Sequence, residues 1–309
     1  MTKFILSKEW AFACQNPQKI PQYLNASVLE DWLKKHTPAA ASNLKSPCAF
    51  LRSVDELYPQ ELIGFQAPPV LFYQGNLALL RQRKISVIGT RKCSLLGMEF
   101  TKKLSSFLRD HSIVSVSGLA YGIDEIVHQQ APERTIGILP CGFGNAVPTR
   151  IQKMCQKIID AGGLILSEFA PDTPPRKWRF IQRNRIIAWL GEELIVVEAP
   201  QESGTLHTVK YAMDRDKKIW VVPSSPLLQS NRGGLSLIAA GFPSLCSVHQ
   251  LAVHLEIPYE QEQALILSFS EFAQHGNMST VEATKALTKM QLNGTVTPLQ
   301  NGYFVWNPS

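Results

Sequence analysis

Arginine, lysine and aromatic side chains interleave in Pro174-Pro175-Arg176-Lys177-Trp178-Arg179-Phe180-Ile181-Gln182-Arg183-Asn184-Arg185. Five fixed positive charges in so short a stretch call for an anionic partner. Trp178 and Phe180 add flat faces on which bases can stack. The segment follows an apolar, strand-like run from Gly163 to Ser167. It leads through Ile186-Ile187-Ala188-Trp189-Leu190 into a second such run, Leu194 to Val197. It is therefore expected on the connection leaving a buried strand, and open α/β sheets bind ligands at the carboxyl edge of their strands. A solvated basic loop beside two core aromatics is the bland alternative. Nucleic acid fits the composition better.

Two glycine turns add to this. Ile88-Gly89-Thr90-Arg91 ends one strand-like run and precedes a helix, so helix-start amides and Arg91 can hold a phosphate. The alternative is an ordinary tight turn with Arg91 in solvent. Val116-Ser117-Gly118-Leu119-Ala120-Tyr121-Gly122-Ile123-Asp124 forms the second turn, where Ser117 and the local amides can complete the same pocket. Asp124 either caps the next helix or holds Arg91, and His128 reads as a packed helix residue. Glu202-Ser203-Gly204-Thr205 resembles the glycine turn that many nucleotide sites place opposite the first one. Gly142-Phe143-Gly144-Asn145-Ala146-Val147 imitates a dinucleotide fingerprint, but it follows the third strand and lacks the third glycine. No Walker A run, Gly-x-Ser-x-Gly elbow or His-Glu-x-x-His helix occurs. No catalytic residue, metal site or cofactor is assigned.

The elements that must position these residues alternate regularly. Strands are expected at Ile85–Gly89, Ile113–Gly118, Thr135–Pro140, Gly163–Glu168, Glu193–Ala199 and Lys218–Pro223, mostly as nearly continuous apolar runs. Helices are expected at Leu95–Arg109, Ile123–Gln130, Thr149–Ala161, Asn184–Leu190 and Leu206–Arg215. The fold class is α/β, an extended, Rossmann-like, doubly wound parallel sheet over residues 49–251. Residues 1–48 read as a small N-terminal helical segment. The proline-bearing stretch around Leu57-Tyr58-Pro59 and Ala67-Pro68-Pro69 suits an edge strand or covering loop. Residues 258–309 show helical patterns at Glu260–Gln274 and Thr280–Leu292, then a hairpin-like ending, the order of a winged-helix-like module.

At 309 residues with a formal charge of +6, the chain suits a main domain plus small additions and permits polyanion binding. The basic surplus concentrates between Arg150 and Arg185, where only Asp160, Glu168 and Asp172 oppose it. The six cysteines are scattered without a Cys-x-x-Cys pair, so neither a zinc site nor a disulfide framework follows, and a reducing cytosol fits. No stretch approaches the roughly 20 apolar residues of a membrane span. A soluble, cytoplasmic protein is expected.

Several features form one ordered set. They are Gly89-Thr90-Arg91, Ser117-Gly118-Leu119-Ala120-x-Gly122-Ile123-Asp124 with His128, Cys141-Gly142 and Ser167-Glu168. Arg183-Asn184-Arg185-Ile186-Ile187, Val197-Glu198-Ala199, Ser203-Gly204 and Leu237-Ile238-x-x-Gly241 complete it. Over roughly Ser53 to Leu251 the chain resembles DNA-processing protein A, the DprA/Smf family. The resemblance implies an extended Rossmann domain that binds single-stranded DNA, dimerises and hands the strand to the RecA recombinase in natural transformation, with no enzymatic activity. It implies a DNA-binding set of Gly89, Arg91, Ser117, Gly118, Lys177, Phe180, Arg183, Asn184 and Arg185. Arg91, Lys177 and Arg183 would meet phosphates, and Phe180 would lie near a base pocket or in the core. At least one arginine is expected to pair with Glu168 or Glu198. Tyr121 departs from the family's usual arginine, Val147 from its tyrosine and Ser224 from its glycine. Two rivals remain. One is a lysine-decarboxylase-like nucleotide phosphoribohydrolase, whose Pro-Gly-Gly-x-Gly-Thr-x-x-Glu run is absent. The other is a partner-binding scaffold with a decayed site. Glu260, Glu262, Glu271 and Glu282 against Lys285 and Lys289 make the C-terminal module look too acidic for DNA and better suited to a protein partner or self-association.

Overall fold

The structure, a computed structural model, describes residues 48–309 except 54, 65, 144–146, 172, 260–264, 293–295, 299–302 and 307–309. The expected N-terminal helical segment lies outside the described residues. The chain divides into two compact units, Met1–Val248 and His249–Ser309.

The first unit is built on an eight-stranded sheet. Strands β1 (Ala49–Arg52) and β2 (Val70–Gly75) enter it antiparallel. Then β3 (Lys84–Ile88), β4 (Val114–Ser117), β5 (Thr135–Ile138), β6 (Leu164–Ser167), β7 (Glu193–Val196) and β8 (Lys218–Val221) run parallel to one another. The order is β1-β2-β6-β5-β4-β3-β7-β8. Successive strands march one way from β3 to β6. The chain then crosses back, and β7 pairs on the other side of β3. That reversal is the topological switch point of a doubly wound sheet. The proline-bearing entry segment supplies β2, which lies inside the sheet, while β1 is the edge strand.

Helices cover both faces. On one side lies α3 (Thr149–Ala161), which packs Met154, Cys155 and Ile158 with Val70, Phe72 and Ile165. On the other lie α4 (Lys177–Leu190) and α5 (Gly204–Met213), whose Ile186 to Leu190, Val209 and Ala212 join Ile136, Ile138, Leu164 and Leu166. Neighbouring β6 residues thus enter opposite cores, which explains the continuous apolar strands. Helix α1 (Leu95–Asp110) packs on α2 (Ile123–Gln130), and α2 on α3. A further helix of this unit is α6 (Arg232–Ala239), and α7 (Val248–His254) begins at the unit's last residue and belongs otherwise to the second unit.

Helix α4 corrects one expectation. The basic stretch is a helix from Lys177, about two turns before the expected start at Asn184, rather than a loop. Pro174 and Pro175 keep the preceding backbone extended, and Arg176 is the N-cap. The helix is exposed at its start and buried all round from Arg185 on. Its polarity therefore changes along its length instead of around it, which hides the helical period.

The second unit contains β9 (Leu265–Ser268), α8 (Phe269–His275), α9 (Thr280–Leu292), β10 (Val296–Pro298) and β11 (Tyr303–Trp306). The sheet order is β10-β11-β9, all antiparallel. Phe272 and Phe304 meet edge-to-face, 5.4 Å between centroids, over Ala283, Leu287 and Val296. Strand, two helices and a hairpin follow the winged-helix-like order. The helical reading of Glu260–Gln274 is corrected at Leu265–Ser268, which pairs with β11; the helix begins where Ser268 and Glu271 close a capping box.

His128 shows how the main sheet holds its turns. Its Nε2 accepts the Leu119 amide at 3.3 Å, and Nδ1 faces the Thr135 hydroxyl at 2.8 Å. Leu119 is held at a φ of 56°, an unfavourable backbone state for a leucine. Burial, and then the charge of Arg183, push the imidazole down from 6.5 to about 3. The folded protein therefore keeps His128 neutral, while the unfolded chain takes up a proton below about pH 6.5. Its contribution is complete above that pH and fades as pH falls toward about 3, by at most ~1.4 kcal/mol per pH unit. Urea midpoints of the wild type should drop between pH 7 and 5 more steeply than those of His128→Gln. Parallel curves for the two proteins would contradict this.

Candidate nucleic-acid interface

A cleft of about 780 Å³ opens at the carboxyl ends of β3 and β7, the switch point of the sheet. Gly89 to Lys92 form one side after β3, and Ala120 and Asp124 come from the turn after β4. Phe180, Ile181, Arg183, Asn184 and Ile187 of α4 make a wall, and Ser203 to Thr205 make the far side. The two glycine turns do face each other, with the Ser203-Gly204 turn opposite the first.

The turns are locked by backbone proximity. The Ile123 amide donates to the Thr90 carbonyl at 3.2 Å. Gly122 lies at a φ of 80°, and a Cβ there would stand 2.4 Å from the Thr90 carbonyl oxygen. Only glycine satisfies both demands. At Gly118 a Cβ would come within 3.0 Å of both Asp124 and Arg183, so this glycine makes room for the charged pair.

Arg183 is buried. Its Nη1 donates to the Gly118 carbonyl at 2.5 Å and also to the Ile138 carbonyl, and Nε donates to Asn184 Oδ1 at 3.2 Å. Burial pushes the guanidinium down to about 10, with the Asp124 charge opposing that loss, so it stays charged at neutral pH. Burial likewise raises the Asp124 carboxyl, against the pull of Arg183 and of the Gly118 and Ala120 amides that Oδ2 accepts. Asp124 therefore faces Arg183 and the turn; capping and holding Arg91 were the expected alternatives. Asn184 donates to the Gly204 carbonyl at 3.2 Å, and the Thr205 hydroxyl donates to the Gly89 carbonyl at 3.3 Å. Arg183 and Asn184 thus tie three loops to one helix.

The other internal arginine is Arg185, bonded to Glu168 at 2.5 Å with both side chains almost wholly buried. This is the expected arginine–carboxylate pair. Glu198 does something else: it accepts from the Ser94 amide at 3.0 Å and from the Ser94 hydroxyl, fastening the start of α1. The Ser117 hydroxyl donates to the Val87 carbonyl at 2.7 Å inside the sheet, so Ser117 joins strands and does not face the cleft. Sequence reasoning placed Ser117, Arg183 and Arg185 together as DNA contacts. The structure spends the side chains of all three on internal partners: Ser117 and Arg185 are buried, and Arg183, though it borders the cleft, is turned to the Gly118 and Ile138 carbonyls.

Around the cleft and the start of α4 the exposed cations include Arg91, Lys92, Arg176 and Lys177. Among the described residues none of them joins an ion pair. The Arg91 guanidinium lies 5.6 Å from the centroid of the half-buried Phe180 ring, and Arg183 lies 5.9 Å from it on the inner side. Phe180 is thus a cleft wall rather than core. Trp178 is 53% exposed, with the Arg179 guanidinium 4.9 Å from its ring centroid. Sequence reasoning missed Lys92 and also Asn231. Buried Asn231 accepts the Ala199 amide at 2.9 Å and donates to the Val222 carbonyl at 3.1 Å, holding the loops after β7 and β8. A lone asparagine between polar residues carries no signal of that role.

Residues 49–256 match the family of DNA recombination-mediator protein A. The chain belongs to that family. It is 36% identical over 207 residues to the DNA processing protein DprA of Streptococcus pneumoniae, spanning 66% of this chain and 73% of that protein. The solved structure of S. pneumoniae DNA processing protein A superposes with a TM-score of 0.63 at 31% identity, covering 77% of this chain and 80% of the other. DNA processing protein A of Helicobacter pylori, described for its unique single-stranded DNA binding mode, gives 0.62 at 29% identity, covering 70% and 97%. No described helix is long and apolar enough to cross a membrane.

Glu168 Oε1 and Arg185 Nη1 are buried without a hydrogen-bond partner, so this pair is only partly satisfied. Removing one partner strands the other charge. Arg185→Met should cost about 3–5 kcal/mol in urea unfolding, and Arg185→Met/Glu168→Leu distinctly less. A double variant as unstable as the single one would show that packing, not charge, dominates there.

Proposed function

We propose that this protein binds single-stranded DNA through the switch-point cleft and carries out no bond-making step itself. The observation that carries the reading is the division of the cations. The inner Arg183 is consumed by the scaffold, whereas Arg91, Lys92 and Lys177 stand exposed, Arg91 against the face of Phe180. Exposed cations meet phosphates, and Phe180 and Trp178 accept bases without regard to sequence. In this reading Gly89 and Gly118 shape the pocket, and Asn184 and Arg185 support it from behind.

The same reading extends to the protein's cellular role. It would protect incoming single strands in the cytoplasm, act as a homodimer and load the RecA recombinase during transformation or recombination. Its support is family membership together with the single-stranded DNA binding mode described for the H. pylori protein. The phosphoribohydrolase alternative needs a free acid in the cleft. Among the described lining residues Asp124 is the one carboxylate, and its Oδ2 is taken by two amides while Arg183 faces it.

Fluorescence anisotropy with labelled oligo-dT tests this directly. Single strands should be preferred to duplex, and affinity should fall with salt. Arg91→Ala should lower it at least tenfold and reduce the logarithmic salt slope by roughly 0.7, the value of one phosphate contact. Phe180→Ala should cost about 1–3 kcal/mol with little change in slope. Absence of binding at low salt, or hydrolysis of adenosine monophosphate, would refute the proposal.

A further inference from the structure

A second cationic surface begins just outside the cleft. Ala120 lines the cleft, and the next residue, Tyr121, is 38% exposed. The Arg150 guanidinium lies 5.3 Å from the Tyr121 ring centroid. Its Nε and Nη2 donate to the two carboxylate oxygens of Glu125 at 2.6 and 2.7 Å. Glu125 is 7% exposed but Arg150 is 67% exposed. The carboxylate therefore anchors the guanidinium from below and leaves it open to solvent beside the ring. Such a side chain is ordered before any ligand arrives, which lowers the entropy lost on binding.

From Arg150 the basic residues continue along α3. Lys153 and Lys157 follow at i+3 and i+7, one face of a helix, over about 10 Å. Both are exposed, and among the described residues neither joins an ion pair. Asp160, the acid at the end of that helix, is engaged by Gln156 Nε2 at 2.7 Å. Close in sequence to the lining residues Ser203 and Ser230, the chain carries one exposed acid, Glu202, and one exposed base, Arg232. The Arg150 charge is balanced by Glu125, so the free positive charge along this side is that of Lys153 and Lys157.

We propose that a strand filling the cleft leaves it over Tyr121 and follows the exposed face of α3. Tyr121 and Arg150 form a stacking and phosphate contact, and Lys153 and Lys157 meet the next phosphates. This rests on the single-strand reading above and extends it from a pocket to a track. Tyr121 thereby acquires a role, as an exposed aromatic that holds a cation in place and offers itself to a base.

The test compares a short oligo-dT of about six nucleotides, enough for the cleft, with one of about twenty. Lys153→Gln/Lys157→Gln leaves the Arg150–Glu125 pair intact and changes only exposed side chains. It should weaken binding of the long strand about tenfold and lower its salt slope by roughly 1.4, two phosphate contacts, with the short strand unaffected. Tyr121→Ala should weaken the long strand several-fold. Equal losses on both lengths, or no loss on the long strand, would overturn the track. If Arg91→Ala abolishes binding of both lengths while the lysine variant binds the long strand normally, the cleft stands and only the track falls. If the wild type binds neither length, the single-strand reading falls with it.

Discussion

A guanidinium out of water must find acceptors or be very costly, and the cleft of this protein is arranged around one such group. Arg183 ends on the carbonyls of Gly118 and Ile138, the side chain of Asn184 and the field of Asp124. Those acceptors belong to the ends of β4 and β5 and to α4 itself. Satisfying the charge therefore sets where α4 stands against the sheet edge. Asn184 then reaches Gly204, and Thr205 reaches Gly89, so the remaining turns inherit their positions.

Once α4 is placed, its exposed first turns fall at the mouth of the cleft. Arg176, Lys177 and Trp178 face solvent there, and Phe180 stands between Arg91 outside and Arg183 inside. One helix thus presents free charge at one end and buries its charge further along. The inner arginines tie the cleft turns to the helix, and in the proposed reading the outer cations meet the phosphates. The one carboxylate among the described lining residues, Asp124, is committed to the turn.

Much of this was legible in the chain. The parallel strands read as continuous apolar runs because both faces of the sheet are covered; α2 and α3 match their expected bounds, and α3 does so because its polarity alternates around the axis. The start of α4 was not legible, because its polarity changes end to end. Leu265–Ser268 reads equally well as helix or strand, and pairing with β11 settles it. Glu271 and Glu282 read as an acidic surface. In the structure each closes a box with the serine three residues before it, so both carboxylates serve helix starts.

The fold class, the family, the glycine turns and the concentration of positive charge near one strand end could all be read from the chain. Those follow from local pattern and composition, which neighbouring residues decide. Packing alone sorts the arginines that face solvent from those spent inside. Arg176, Arg183 and Arg185 are chemically identical in the chain. Depth below the surface separates them, and depth is set by partners such as Gly118, Ile138 and Glu168, far away in sequence.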